Sequence, residues 1–360
     1  MSAQSPVGEP EVRTAPPRRD PAAKRQHLDV CLYEDVEYRK PTGLEAWTFQ
    51  NEALPEVSLE HLDLSCSLAG RRLAAPLMIS PMTGGTPRAG ELNLRLARVA
   101  QRFGLAMGVG SQRLALEDAA RARWFKVRHV APDIALFANF GGAQLVRGWG
   151  VDEARRAVEM IEADALFIHL NPIQEAIQGG DQDFRGLSAR LQGLCTALHA
   201  EGIPVFAREV GFGLSENAAR RLLDCGIAGL DCAGAGGTSW ARVEALCARS
   251  ERRRVLGERF AEWGIPTSQS ILNVRRVSAD IPLIACGGLR DGMDVARALA
   301  LGADVGSMAR AMLLRANESE AALAAFVESV LTELRVCMFG SGAANVKALR
   351  GRVFRDDPAV

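Results

Sequence analysis

The sequence predicts an α/β fold: a closed (β/α)8 TIM barrel with an N-terminal extension and a long insertion after strand six. Three observations predict it. Short runs that are apolar on both faces alternate with amphipathic helical stretches, as a buried parallel sheet covered by helices requires. Eight such units fit into about 270 residues, the size of a closed barrel. Glycine- and polar-rich segments (MTGG, GSQR, NFGG, NPIQE, AGAGGT, GGLR, SMAR) follow nearly every strand. A barrel gathers all those strand ends on one face, where such enzymes do chemistry, whereas an open doubly wound sheet would waste half of them.

The elements follow in order. Residues 1–23, rich in Pro, Arg, Ala and Glu without a hydrophobic period, read as a disordered leader. Residues 24–70 read as an extension packing on the barrel, with strand-like pieces around Val57, Leu59, Leu62 and Leu64 and aromatic anchors at Trp47 and Phe49. The barrel spans 71–346, with strand one at 75–80 and a helix at 91–103. The next pairs are 105–110 with a helix at 116–127, 134–140 with 152–162, 165–171 with 187–199 and 204–210 with 215–224. Strand six, 230–234, leads through an insertion over 239–266 to a helix at 267–277. Strand seven, 281–286, precedes a helix at 291–301, and strand eight, 305–309, precedes a terminal helix at 318–339. Residues 347–360 read as a tail.

Composition excludes several classes. Lys+Arg 43 against Asp+Glu 43 gives no net charge, which argues against nucleic-acid binding. Lysine occurs only at Lys24, Lys40, Lys126 and Lys347, so the chain's basic residues are overwhelmingly arginines. No apolar stretch approaches the roughly 20 residues of a bilayer span, and the first residues have no signal-peptide core. The eight cysteines stand singly with no CxxC pair, so they read as reduced, mostly buried small side chains of a cytoplasmic protein.

Chemistry concentrates at the strand ends. Strand seven ends in Gly287-Gly288-Leu289-Arg290 before a helix, and strand eight in Ser307-Met308-Ala309-Arg310. Glycines admit close backbone approach, helix N-termini attract anions, and barrels place phosphate sites after these two strands. Neither GxxxxGK nor a complete GxGxxG competes. Met82-Thr83-Gly84-Gly85 after strand one suits a flat heterocycle laid along the backbone, or a simple turn. After strand four, His169, Asn171, Gln174 and Glu175 leave together. Glu175 suits a hard divalent cation completed by phosphate oxygens and water; the plainer alternative is a solvated glutamate beside a locally bonded histidine. Arg208, on strand five beside Glu209, implies a pairing role with that carboxylate or with an electron-rich ligand. Thr238 follows strand six as a phosphate contact, and the insertion with Trp240, Trp263 and Arg252 to Arg254 reads as a lid or a solvated basic helix.

The segments MTGG, GSQR, HLNPIQE, EVGFG, AGAGGTSW with WGIPT, GGLR and the late MF-x-x-G occur in the order seen in type 2, FMN-dependent isopentenyl diphosphate isomerases, which this chain resembles from about Lys24 to Val346. The resemblance implies an FMN-binding barrel that interconverts isopentenyl and dimethylallyl diphosphate, with Mg2+ on the diphosphate and NADPH as reductant. It implies a homo-oligomer, tetramer or octamer. It implies FMN contacts at Met82, Thr83, Gly84, Ser111, Asn139, Arg208 and Thr238, and FMN phosphate contacts at Gly287, Gly288, Leu289, Ala309 and Arg310. Substrate would meet Lys24, His27, Ser111, Gln112, Arg113, His169, Asn171 and Gln174, with Gln174 catalytic and Glu175 the metal ligand.

The chain departs from the family pattern at four places. In Ala23-Lys24-Arg25-Gln26-His27 one expected cation is absent or displaced by one or two positions, Arg208 replaces a lysine, Ala233 and Ala235 replace a serine and an arginine, and Gln178-Gly179-Gly180-Asp181 replaces Pro-Glu-Gly-Asp. Arginine and lysine are not interchangeable at a tight contact. These changes motivate one alternative, a catalytically impaired FMN-binding paralogue with a regulatory role. The other alternative, an FMN-dependent 2-hydroxy-acid oxidase, needs a histidine base and an arginine late in the barrel, and the last histidine is His199.

Overall fold

A computed structural model describes residues 21–355. Eight parallel strands close into a barrel: β1 (Leu77–Ile79), β2 (Ala106–Gly108), β3 (Leu136–Gly141), β4 (Ala165–Leu170), β5 (Val205–Glu209), β6 (Gly229–Asp231), β7 (Leu283–Ala285) and β8 (Val305–Met308), with β8 returning to pair with β1. Phe137, Phe167 and Phe206 fill the interior with Met78, Ile284 and Val305. The Phe137 and Phe167 rings stack at 4.5 Å, and Phe206 meets Phe137 edge-on at 5.2 Å. A two-stranded ribbon, Cys66–Leu68 with Arg71–Leu73, adds Leu68 and Leu73 to that cluster. A larger apolar layer lies between strands and outer helices, because strands buried on both faces have two surfaces to cover. Among the described residues no helix is long and apolar enough to cross a membrane.

Most barrel elements lie within a few residues of their predicted positions; one barrel helix and a stretch of the N-terminal extension do not. The helix expected over 116–127 is replaced by a short helix, Arg113–Glu117, and the 3-10 turn Ala119–Trp124. Asp118 breaks it by accepting from Ala120 N at 3.2 Å, which lets Phe125 turn fully inward. The terminal helix expected over 318–339 is found as Glu320–Gly340, capped by extended Ser319 through Ala322 N at 3.0 Å, and a further helix, Arg310–Glu318, precedes it. The strand-like residues Leu59 and Leu62 belong to a 3-10 turn, Leu59–His61, and its C-cap.

The chain's two ends meet. A helix, Pro21–Tyr33, begins inside the stretch assigned to the leader, whose residues 1–20 lie outside the described part. Trp47–Phe49 pairs antiparallel with Val353–Arg355, so the described part of the tail holds a 3-10 turn, Lys347–Leu349, and a paired strand. The insertion after β6 holds two helices, Trp240–Cys247 and Glu251–Arg259.

Candidate active site

A cavity of about 980 Å3 opens where the strands end, walled by loops from every sector of the barrel and by the N-terminal helix.

The β7 and β8 loops form a glycine-lined cradle. Gly287 and Gly288 have φ of +104° and +84°, and a Cβ on either would lie 2.1 Å from Gly234 O or 2.4 Å from Gly236 O. Only glycine fits both the dihedrals and the approach. Helix Arg310–Glu318 starts here, so its first N–H groups face the cradle, and Ser307 Oγ beside it is buried without a partner. An unpartnered hydroxyl, glycines and a helix N-terminus together suit the FMN phosphate expected from the sequence. Leu289, Ala309 and Thr238 line the same wall. Gly287→Ala should therefore purify colourless and bind added FMN at least about tenfold more weakly, a strained Cβ costing about 1–3 kcal/mol. Absorbance titration checks this, and unchanged FMN affinity would show that the cradle holds nothing.

Met82, Thr83, Ser111 and Arg113 line the β1–β2 sector. Lys24, reaching over from the N-terminal helix, donates from Nζ to Ser111 O at 2.7 Å. Two expected contacts are corrected here. Gly84 does not line the cavity; it is glycine because the Phe125 ring would sit 2.0 Å from its Cβ. Gln112 is fully buried, donates from Nε2 to Ala157 O (2.8 Å) and accepts at Oε1 from Asn139 N (2.8 Å). Both ends of its amide are used within the wall, so it fixes the β2–β3 loops rather than meeting substrate.

Asn139 Nδ2 donates to Val109 O at 3.0 Å, which turns Oδ1 toward His169 Nδ1 at 2.9 Å. That bond requires the proton on Nδ1. Beyond β4, a row of side chains shares hydrogen bonds. Asn171 Nδ2 donates to Gln174 Oε1 and Glu175 Oε1, both at 3.0 Å, and Gln174 Nε2 donates to Glu244 Oε1 at 2.7 Å. His27 Nε2 lies 3.3 Å from the same Glu244 oxygen, and Asp181 N donates to Glu175 Oε2 at 2.9 Å. Asn171 Oδ1, buried, has no partner. Glu244 went unnoticed in the sequence because it belongs to no motif. Its signal was position: three residues after buried Ala241, it falls on the buried face of Trp240–Cys247.

Glu175 is 3% exposed, yet no group of three or more His, Cys, Asp or Glu is placed to hold a metal among the described residues. A cation at Glu175 fits only as a hydrated ion completed by ligand phosphates, the usual habit of magnesium.

Arg208 lines the cavity floor in register with His169 on β4 and Asp231 on β6. Its Nη1 pairs with Asp231 Oδ2 and its Nη2 donates to Ser80 Oγ at 2.8 Å, so its partner is Asp231 and not the neighbouring Glu209 expected as one choice. Burial pushes the Asp231 carboxyl up from its usual range while Arg208 pulls it down, and Asp231 in turn holds the guanidinium charged. Glu209 instead accepts backbone N–H groups of Gly211 (2.7 Å), Phe212 (2.5 Å) and Gly213 (3.0 Å), shaping the EVGFG loop. Burial raises its pKa to about 7 against the pull of those donors.

Arg310 borders the cavity, but its side chain turns away from the cradle. Nε donates to Cys31 O at 2.8 Å, Nη1 to Glu37 Oε1 at 2.9 Å and Nη2 to Glu34 O at 3.2 Å. The expected phosphate contact is thus confined to its backbone.

Residues 25–135 and 203–356 match the FMN-dependent dehydrogenase family. The isopentenyl-diphosphate delta-isomerase of Nostoc sp. (strain PCC 7120) is 49% identical over 329 residues, covering 91% of this chain and 93% of that one. That of Stutzerimonas stutzeri is 50% identical over 330 residues, covering 91% and 94%. A mandelate oxidase structure with (S)-2-phenylpropionate superposes with a TM-score of 0.63 at 18% identity over 94% of this chain and 97% of that one, a likeness of fold. With half its residues shared across nine-tenths of its length, the chain belongs to the isopentenyl-diphosphate delta-isomerase family, on the FMN-dependent dehydrogenase barrel.

Proposed function

We propose that this protein is an isomerase interconverting isopentenyl and dimethylallyl diphosphate in isoprenoid biosynthesis, using reduced FMN, NADPH as its reductant and Mg2+ on the diphosphate. One observation carries the reading: a single cavity is lined by the Gly287–Gly288 turn, by Lys24, Ser111 and Arg113, and by the hydrogen-bonded Gln174 and Glu244. The glycine turn suits the cofactor phosphate, and Lys24 with Arg113 suits the substrate diphosphate.

Shifting the double bond requires a proton gained at one carbon and another lost two bonds away, through a state with cationic character. Bound reduced FMN would supply an electron-rich surface for that cation and a group able to exchange the proton. The chain's own share is positioning and neutralisation. Lys24 and Arg113 offset the diphosphate, and Glu175 would hold the magnesium ion against it. Gln174, tied at both ends of its amide, is fixed in orientation within the cavity wall and presents no positive charge that would oppose the cationic state. The largely buried walls limit water that would quench a cationic carbon.

Two observations disfavour the oxidase alternative. Only His27 and His169 among the histidines line the cavity, and His199 is exposed on the outer helix Leu187–Ala200. The deciding experiment is anaerobic NMR in D2O with FMN, a reductant, Mg2+ and isopentenyl diphosphate. Dimethylallyl diphosphate with incorporated deuterium is the expected product; FMN binding without exchange would leave the impaired paralogue. Glu175→Gln should lower turnover about 10–100-fold and raise the magnesium requirement, with FMN affinity unchanged. A magnesium titration of initial rates checks this, and full activity at low magnesium would remove Glu175 from the metal.

A further inference from the structure

Arg310 does two things at once. Its backbone begins helix Arg310–Glu318, whose N-terminus faces the cradle, while its guanidinium reaches 279 residues back along the chain to Cys31. Cys31 O is one of the last four carbonyls of helix Pro21–Tyr33, and such carbonyls lack helical partners. A cation bonded there also meets the negative end of the helix dipole. The guanidinium therefore caps that helix. Next along the chain, Glu37 Oε1 accepts from Arg310 and its Oε2 lies 3.6 Å from Arg290 of the β7 loop. Arg290 itself donates to Gly288 O (3.2 Å) and Gly236 O (2.9 Å). Backbone bonds from Tyr38 N to Gly237 O and from Ser239 N to Val36 O, both 2.8 Å, fasten the same segment to the β6 loop. The helix so anchored carries Lys24 to Ser111 O and His27 to Glu244, on another side of the cavity.

We propose that Arg310 is a positioning residue that couples the cradle to the Lys24 side of the cavity: filling the cradle steadies its backbone, and its side chain passes that order to the helix bearing Lys24 and His27. The coupling rests on the reading above only for the identity of the ligands, FMN and isopentenyl diphosphate. It predicts cooperative binding, since a helix ordered by the first ligand costs the second less to organise.

The test combines amide hydrogen exchange with FMN titration of the full-length protein. In the parent, FMN is expected to increase protection of amides 24–33 about tenfold. In Arg310→Met that increase should vanish and KM for isopentenyl diphosphate should rise about tenfold, with a much smaller change in kcat and FMN affinity within about threefold of the parent. Glu37→Gln, which leaves the bonds to Cys31 O and Glu34 O in place, should fall between the two; it also serves if Arg310→Met fails to fold. A tenfold loss of FMN affinity with helix protection still responsive would overturn the proposal, making the side chain a phosphate ligand. Protection lost evenly over the whole barrel would overturn it as well. If FMN protects the helix in the parent but isopentenyl diphosphate is never converted, the coupling stands and the assigned activity falls.

Discussion

Asp231→Leu is expected to lower stability by about 3–5 kcal/mol, because it strands the Arg208 guanidinium in a site where both partners are buried. A charge left there without its counterion loses the partner that offsets its desolvation. Denaturant melts should show a lower midpoint at unchanged slope. Replacing both partners, Arg208→Met with Asp231→Leu, should recover most of the loss, since an apolar pair of similar volume often equals a buried ion pair. A single variant as stable as the parent would mean that water reaches Arg208 and that the floor is wet. The double variant also separates stability from chemistry, because it can fold while lacking the cation beneath the cavity.

Gln174→Leu is expected to lower kcat about 100-fold, the loss that follows when a group positioning the reacting atoms is removed. FMN affinity should not change, because the cradle lies on β7 and β8 while Gln174 follows β4. The substitution unties Asn171 from Glu244 and leaves Glu244 Oε1 with His27 as its partner at 3.3 Å. Single-turnover rates with prereduced cofactor isolate the chemical step from cofactor reduction. A kcat within about threefold of the parent would demote Gln174 to a wall residue.

The barrel was readable because its signal is local. Runs such as Leu-Phe-Ala-Asn-Phe-Gly over β3 are buried at every position, and the helices between them begin and end on ordinary signals, as Asp291 does for Gly292–Ala300. The Gly287-Gly288 turn was legible for the same reason, each glycine being demanded by its own φ. What could not be read depends on partners far away in sequence. Arg310 has the sequence setting of a phosphate ligand, and only the fold reveals Cys31, Glu34 and Glu37 around its guanidinium. Gln112 stands in a motif that faces the cavity, yet helix Val151–Ile161 supplies the carbonyl that takes its amide. The 113–124 segment misled through its apolar spacing, because Asp118 offered the backbone a competing bond.

Pairing of Trp47–Phe49 with Val353–Arg355 bears on how the molecule is made. At about 5–20 residues per second on the ribosome, some 300 residues separating the two strands take about 15–60 seconds to synthesise. Trp47–Phe49 must wait through that interval without its partner, while the barrel itself can close earlier, once β8 reaches β1, so the nascent chain carries an unpaired strand until its last strand emerges.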